Sequence, residues 1–416
     1  MKKFTRRNFL QAAGIAAGAA ALAACGDKPA SSTPASSGAP ASSGSTETKK
    51  EFKKCKIGVG FYSDHGPAYE NGKKYLEALG AAMNAELTYV TLSSTDEQAN
   101  LDAAQKLIAA NVDGIMFSMD SSMTTIIDEC ESAEVYLAGF LADYDSSFRN
   151  TYDQVFKNPY FLGTVADGST SDNLVAGHDF FDSLIEYNKA HADAPITHVS
   201  MCTFPTFAFP QHAVYVQQFV ADVEEYNKTA AAPITVDPFD GDTDVLMFRP
   251  MDSTYLSKHP GIQAIVSFCA AQFVYPTLVS ANQNGPIKIF AAGYTEGDEN
   301  DFAETGNGTF QQEIVSAIEA YIYPFVLLIN KINGVAFPDM PEVAERVSVS
   351  RLIVNSQADL DIFKEGLYLS GDVSKALFSP EEVAEMTALN PNATYAQLLE
   401  ALDHMTIEDI AAKMGK

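Results

Sequence analysis

Lys56-Ile57-Gly58-Val59-Gly60-Phe61-Tyr62-Ser63-Asp64-His65-Gly66-Pro67-Ala68-Tyr69 reads as a strand, a turn and a helix start. Ile57, Val59 and Phe61 alternate with two glycines, the pattern of a strand packed under close neighbours. Ser63 to Gly66 supplies turn residues, and Pro67 suits the first position of a helix. Tyr69, Tyr75, Leu76, Leu79 and Met83 then keep helical spacing.

Working outward, the alternation repeats. Glu86 to Leu92 is rich in β-formers, and Asp96 opens a helix with Leu101, Ala104, Leu107 and Ile108 on one face. Gly114 to Phe117 is a third strand, Met123, Ile126, Ile127 and Cys130 mark a helix, and Tyr136 to Phe140 is a fourth strand. The pattern restarts with a helix through Leu174, Gly177, Phe181, Leu184 and Ile185. A strand at Thr197 to Met201, a helix at His212 to Tyr226 and short strands near 234, 262 and 287 follow. Near-continuous apolar strands alternating with helices predict α/β lobes, each a doubly wound parallel sheet with helices on both faces.

The chain ahead of this body reads differently. Lys2, Lys3, Arg6 and Arg7 form a cationic head, and Ala12 to Ala24 a small-residue apolar run too short to span a bilayer. Thr5-Arg6-Arg7-Asn8-Phe9-Leu10 resembles a twin-arginine export motif, and Leu22-Ala23-Ala24-Cys25 resembles a bacterial lipobox. Residues 1–25 are therefore expected to be a lipoprotein signal peptide, with Cys25 the acylated anchor in the lipid bilayer. Residues 26–50 are a Ser/Pro/Ala-rich linker, too poor in apolar residues to offset ordering. The formal net charge of −27 becomes about −31 once the four basic residues before Cys25 are removed. This argues against nucleic acid as partner, since a phosphate backbone needs Lys and Arg. Cys55, Cys130, Cys202 and Cys269 form no CxxC pair, and no metal-ligand spacing occurs, so no metal or other cofactor is expected.

In order and spacing the body resembles the type I periplasmic binding proteins, in particular the ribose/galactose-type branch. The resemblance rests on Lys56 to Tyr62 with Gly66-Pro67-Ala68-Tyr69, on Gln98 through Val112-Asp113-Gly114-Ile115, on His259-Pro260-Gly261-Ile262-Gln263-Ala264-Ile265, and on Gly293-Tyr294-Thr295. It implies two lobes joined by a three-crossing hinge and closing on a small-molecule ligand. Lobe one is then 52–166 plus 317–345, and lobe two 167–316 plus 346–372. Residues 373–416 form a C-terminal helical extension; Ser379-Pro380-Glu381-Glu382 and Thr394-Tyr395-Ala396-Gln397 look like helix starts, the second a capping box. The resemblance also implies an ABC transporter permease as partner, a monomer, and a location outside the cytoplasm.

Ligands of open α/β sheets bind beyond the carboxyl ends of the strands. Those ends offer Tyr62, Asp64 and Tyr69 in lobe one, with Asp120 after the third strand and Asp143 after the fourth. Tyr69 stands where the family stacks a ring on its ligand, or else is helix-face core; Asp120 is a ligand contact or a helix cap. In lobe two the ends offer Phe204, Phe207, His212, Cys269, Tyr294 and Thr295. The three phenylalanines at 204, 207 and 209 either seal the cleft or plug the lobe core, and His212 aligns with a sugar-gripping arginine. The departures matter as much. Cys269 replaces an expected Asn, Thr295 an Asp, and Ser316 a Gln, so most groups that pair sugar hydroxyls are missing. A sugar-like or heterocyclic ligand, less polar than a pentose, is the expectation.

Two enzyme classes are poorly matched by the sequence. A Rossmann oxidoreductase needs G-x-G-x-x-G at the first turn, but Gly58 and Gly60 lie inside the strand and Ser63 replaces the third glycine. No G-x-S-x-G elbow suggests a hydrolase. The chain is expected not to be an enzyme, with a ligand-sensing component for a chemoreceptor or sensor kinase as the alternative to a transport component.

Overall fold

The computed structural model describes residues 51–93, 96–142, 152–167, 176–206, 209, 211–295, 297–303 and 305–416. The chain begins with β1 (Cys55–Phe61), α1 (Pro67–Ala82), β2 (Ala85–Thr91), α2 (Glu97–Ala109), β3 (Gly114–Phe117), α3 (Met123–Ser132), β4 (Tyr136–Phe140), α4 (Tyr152–Lys157) and β5 (Phe161–Asp167). A second series follows: α5 (Ala176–Ala190), β6 (His198–Cys202), α6 (Gln211–Asn227), β7 (Thr235–Val236), α7 (Thr254–Lys258), β8 (Ala264–Ser267), α8 (Tyr275–Ser280), β9 (Lys288–Ala292) and β10 (Phe310–Ser316). The rest is α9 (Ile322–Asn333), β11 (Arg346–Val349), β12 (Arg351–Val354), α10 (Gln357–Glu365), α11 (Leu367–Ser370), α12 (Pro380–Glu385), α13 (Tyr395–Asp403) and α14 (Ile407–Met414).

These strands form two six-stranded sheets, ordered β11-β5-β4-β3-β1-β2 and β12-β10-β9-β8-β6-β7. The two doubly wound α/β lobes expected from the alternation are present, and the first sheet is parallel throughout. In the second, β12 alone runs antiparallel, beside β10. Gly58 and Gly60 are glycines because helix and strand approach closely: a Cβ would lie 2.9 Å from Leu107 and 2.9 Å from Phe117 respectively. At the following turn Gly66 takes φ +87°, and Pro67 opens α1 as its sequence position predicts. Asp96 caps α2 by accepting the Ala99 N–H at 3.0 Å. Separate apolar cores fill the lobes, around Leu107, Ile115, Phe117, Ile126 and Leu137 in the first and Phe180, Phe219, Val266, Phe268 and Phe290 in the second.

Sequence and structure differ at the third crossing. The sequence places residue 346 onward in lobe two, yet Arg346–Val349 pairs with Thr164–Asp167 in the first sheet. Arg351–Val354 then pairs with Glu313–Ser316 in the second. The chain therefore changes lobe at Ser350, five residues past the expected boundary. A continuous β-rich run is cut by tertiary pairing with two different edges, which no local pattern encodes.

α9 is apolar on every side, and Ile322 to Asn330 are all buried. One face lies on β3, β4 and β5, and the C-terminal helices α12 and α13 cover another. A helix hydrophobic all round needs cover all round, and the extension supplies it. Three capping boxes start its helices, at Ser379/Glu382, Thr394/Gln397 and Thr406/Asp409. Among the described residues no helix is long and apolar enough to cross a membrane.

Candidate functional site

At the carboxyl end of β1, Phe61 turns inward and Tyr62 outward, 1% and 44% exposed. Phe61 heads a buried ring cluster, edge-on to Tyr69 at 5.2 Å, Phe140 at 5.3 Å and Tyr321 at 5.8 Å. Tyr69 is half-buried on the first turn of α1, so its ring both closes this core and borders the strand ends. Asp64 is exposed and accepts from His65 Nδ1 at 2.9 Å; that bond holds its carboxyl below the usual range. Asp120 is half-buried, two residues ahead of Ser122, the N-cap position of α3. Close by, fully buried Asn100 clasps the β2 and β3 exits. Its amide donates to the Ser93 carbonyl (2.8 Å) and to Ser121 Oγ (2.6 Å), and its oxygen accepts the Ser93 N–H (2.7 Å). Asp143 lies outside the described residues.

In lobe two, Phe204 leaves β6 into a second ring cluster. It stacks on Phe248 at 5.0 Å and on His212 at 6.0 Å, meets Phe273 edge-on at 5.0 Å, and lies 5.3 Å from Phe209. His212 is 6% exposed, and its Nδ1 accepts the Phe204 N–H at 3.1 Å. Burial pushes its pKa down to about 3, so the ring is neutral with the proton on Nε2. It therefore backs Phe204 and fixes the loop; an arginine-like grip on a ligand would need an open cation. Phe207 lies outside the described residues.

Cys269 is 1% exposed, buried beneath the β8 exit, with its backbone N–H on Ser267 Oγ at 3.2 Å. Burial raises its thiol well above the ordinary value. All four described cysteines are free and buried. After β9, the Tyr294 hydroxyl donates to Glu299 and the Thr295 N–H to Asp298 (2.9 Å). Burial lifts the Asp298 carboxyl to about 6, and raises that of neighbouring Glu313 well above its ordinary value. The Tyr294 ring packs against Phe363 (5.5 Å) and Tyr368 (6.4 Å). The Tyr368 carbonyl accepts from Asn71 Nδ2 of α1 at 2.8 Å, two residues along that helix from Tyr69. Through Tyr368 the β9 exit of lobe two thus meets the α1 entry of lobe one.

Sequence reading missed Phe248, Phe273, Phe363 and Tyr368. Phe273 stood soon after a strand and was findable by the strand-end rule; the others arrive from loops and a helix whose path is tertiary. Phe248 adopts φ +54°, a left-handed backbone uncommon for a large side chain. A separate cavity of about 350 Å³, lined by Phe156, Phe161, Leu327 and Phe337, opens at the amino end of β5, away from the strand exits. Among the described residues, no group of three or more His, Cys, Asp or Glu is placed to hold a metal.

The fold is that of the type I periplasmic binding proteins. A solute-binding protein of an ABC transporter from Burkholderia graminis, in complex with D-arabinose, superposes with TM-score 0.54 at 15% identity, covering 75% of this chain and 98% of that one. A glucose–galactose binding protein from Geobacillus stearothermophilus gives 0.52 at 15%, covering 73% and 98%. A putative LacI transcriptional regulator from Bacteroides fragilis gives 0.50 at 11%, covering 74% and 99%. No family model and no curated protein matches the sequence.

Proposed function

We propose that the chain is an extracytoplasmic solute-binding protein, anchored through acylated Cys25, that captures a small ligand between its lobes and hands it to an ABC transporter permease. It binds its ligand and does not transform it. The observation that carries this reading is the meeting of strand exits. Tyr294 from β9 and Asn71 from α1 converge on Tyr368, with the Phe204 and Phe61 ring clusters at the carboxyl ends of their sheets. Open α/β sheets bind ligands at that end. Solute-binding proteins that bind sugars share the fold. The strongly acidic composition speaks against the DNA-binding use of the same fold.

Aromatic residues outnumber charged ones at these exits, and the would-be cationic contact is a neutral, buried His212. The ligand is accordingly less polar than a pentose: a heterocycle or a modified sugar. A thermal-shift panel of pentoses, hexoses, nucleobases, nucleosides and aromatic compounds tests this. A ligand at one hundred times its Kd stabilises by about 2.7 kcal/mol. A strong shift with ribose or galactose and none with the planar compounds overturns the ligand class; silence across the panel and no small molecule in mass spectra of the purified protein overturns binding itself. Capture of a permease, against capture of a sensor kinase or chemoreceptor, separates transport from sensing.

A further inference from the structure

Residues 366–416 run twice more across the hinge than the three crossings of the fold require. At Gly366 the chain leaves α10, which lies on β12 of lobe two, and α11 then packs on α1 of lobe one. The extension stays on lobe one through α13. The Tyr75 hydroxyl donates to the Phe378 carbonyl (2.6 Å), and buried Glu319 accepts the Leu377 N–H (3.0 Å). Asn330 accepts the Ala388 N–H (2.8 Å), Asp339 accepts the N–H groups of Tyr395 (2.7 Å) and Ala396 (3.0 Å), and the Tyr323 and Tyr395 hydroxyls meet at 2.8 Å. After His404 the chain returns to lobe two, where α14 lies on α10 and β12. A Cβ on Gly366 would touch Ile410 at 3.3 Å, and Lys416 pairs with Glu365 at 2.6 Å.

Between these two anchorages the extension grips a crossing directly. Ser350, the single residue between β11 and β12, donates its N–H to the Leu402 carbonyl (3.0 Å) and its hydroxyl to the Asp403 carbonyl (2.8 Å). Glu319, just past the crossing after β10, is the residue that holds Leu377. Two of the three hinge passages are thus tied to one accessory segment with a foot on each lobe.

We infer that residues 373–416 are a hinge strap, which sets the resting angle of the lobes and limits how far they part. Rotation about Ser350 must either carry α13 and α14 together or shear the bonds at Leu402 and Asp403. Packed interfaces are bistable and do not deform continuously, so a strap of this kind narrows the range of lobe angles. Its footing on α1 also ties that range to the helix that carries Tyr69. The inference rests on the fold and holds whatever the ligand is.

The test uses the full mature chain without ligand. Spin labels go on exposed Lys106→Cys in lobe one and Glu224→Cys in lobe two, in a chain that also carries Cys25→Ala; the four described thiols are buried. Deleting residues 404–416 removes the lobe-two foot and leaves the cover of α9 in place. The deletion should broaden the interlobe distance distribution about twofold and speed hydrogen exchange at the Ser350 amide about tenfold. Ile410→Asp should do the same more weakly. An unchanged distribution in a folded deletion variant overturns the strap. Should both variants unfold, native-state exchange of the intact chain decides. The Ser350 amide must open with those of α14 as one unit; its opening with the sheet cores, independently of α14, refutes the proposal.

Discussion

Replacing His212 with Gln isolates the cost of keeping that imidazole neutral. Burial holds it at about 3, against 6.5 for a free side chain. The unfolded chain therefore takes up a proton near pH 6.5 that the folded chain refuses until far lower pH. The stability this group supports is whole above pH 6.5 and is lost as pH falls towards 3. Each unit of difference is worth about 1.4 kcal/mol, so at about pH 5 the loss is about 2 kcal/mol, nearly independent of where below 4 the folded value lies. The Gln variant keeps an acceptor for the Phe204 N–H, gives up the ring stack, and cannot titrate. At about pH 7.5 it should be less stable than the parent by about 1–3 kcal/mol. At about pH 5 the gap should shrink by about 2 kcal/mol, because only the parent is penalised. Urea unfolding of both chains at the two pH values measures the difference. Other titrating groups, among them Asp298, are common to both and cancel. Parallel stability curves would falsify the buried, neutral assignment.

Asp298→Asn should raise the thermal midpoint at about pH 8 and leave it nearly unchanged at about pH 4. A carboxyl raised to about 6 destabilises the fold increasingly as pH climbs from the unfolded value of 3.8 through 6, and is neutral below. Phe61→Ala should cost about 3–5 kcal/mol in urea unfolding, since the ring is buried and touches Tyr69, Phe140 and Tyr321. Gly72→Ala should cost about 1–3 kcal/mol, because the new methyl would lie 2.6 Å from the ring of fully buried Tyr321; a neutral result means that ring can shift. Phe204→Ala should weaken any ligand found by the thermal-shift panel about tenfold or more while sparing the midpoint of the free protein by comparison with Phe61→Ala. Titration calorimetry reads the first quantity and a melt the second.

Much of the fold was legible in order and spacing. Alternating apolar strands and amphipathic helices specify parallel sheets with helices on both faces, because period and continuity are properties of the chain itself. Gly58, Gly60, Pro67 and the capping residues Ser379 and Thr394 announced local geometry for the same reason. The candidate site was legible only by rule. Residues after strands were expected at the site; Tyr62, Phe204 and Tyr294 stand just past the ends of β1, β6 and β9, and Tyr69 on the first turn of α1. Spacing could not tell a side chain that lines an exit from one buried behind it. His212 and Cys269 lie behind, because burial depends on what neighbouring strands and loops bring to cover them.

Tertiary structure alone decided three things. It cut Arg346-Val347-Ser348-Val349-Ser350-Arg351-Leu352-Ile353-Val354, one β-rich run, into strands of two different sheets. Phe248 and Tyr368 reach the strand exits from distant segments, and the C-terminal helices are laid over α9 and Ser350. Each depends on contacts between residues tens to hundreds of positions apart. Local propensity carries no record of such contacts; only competition between alternative packings of the whole chain selects them.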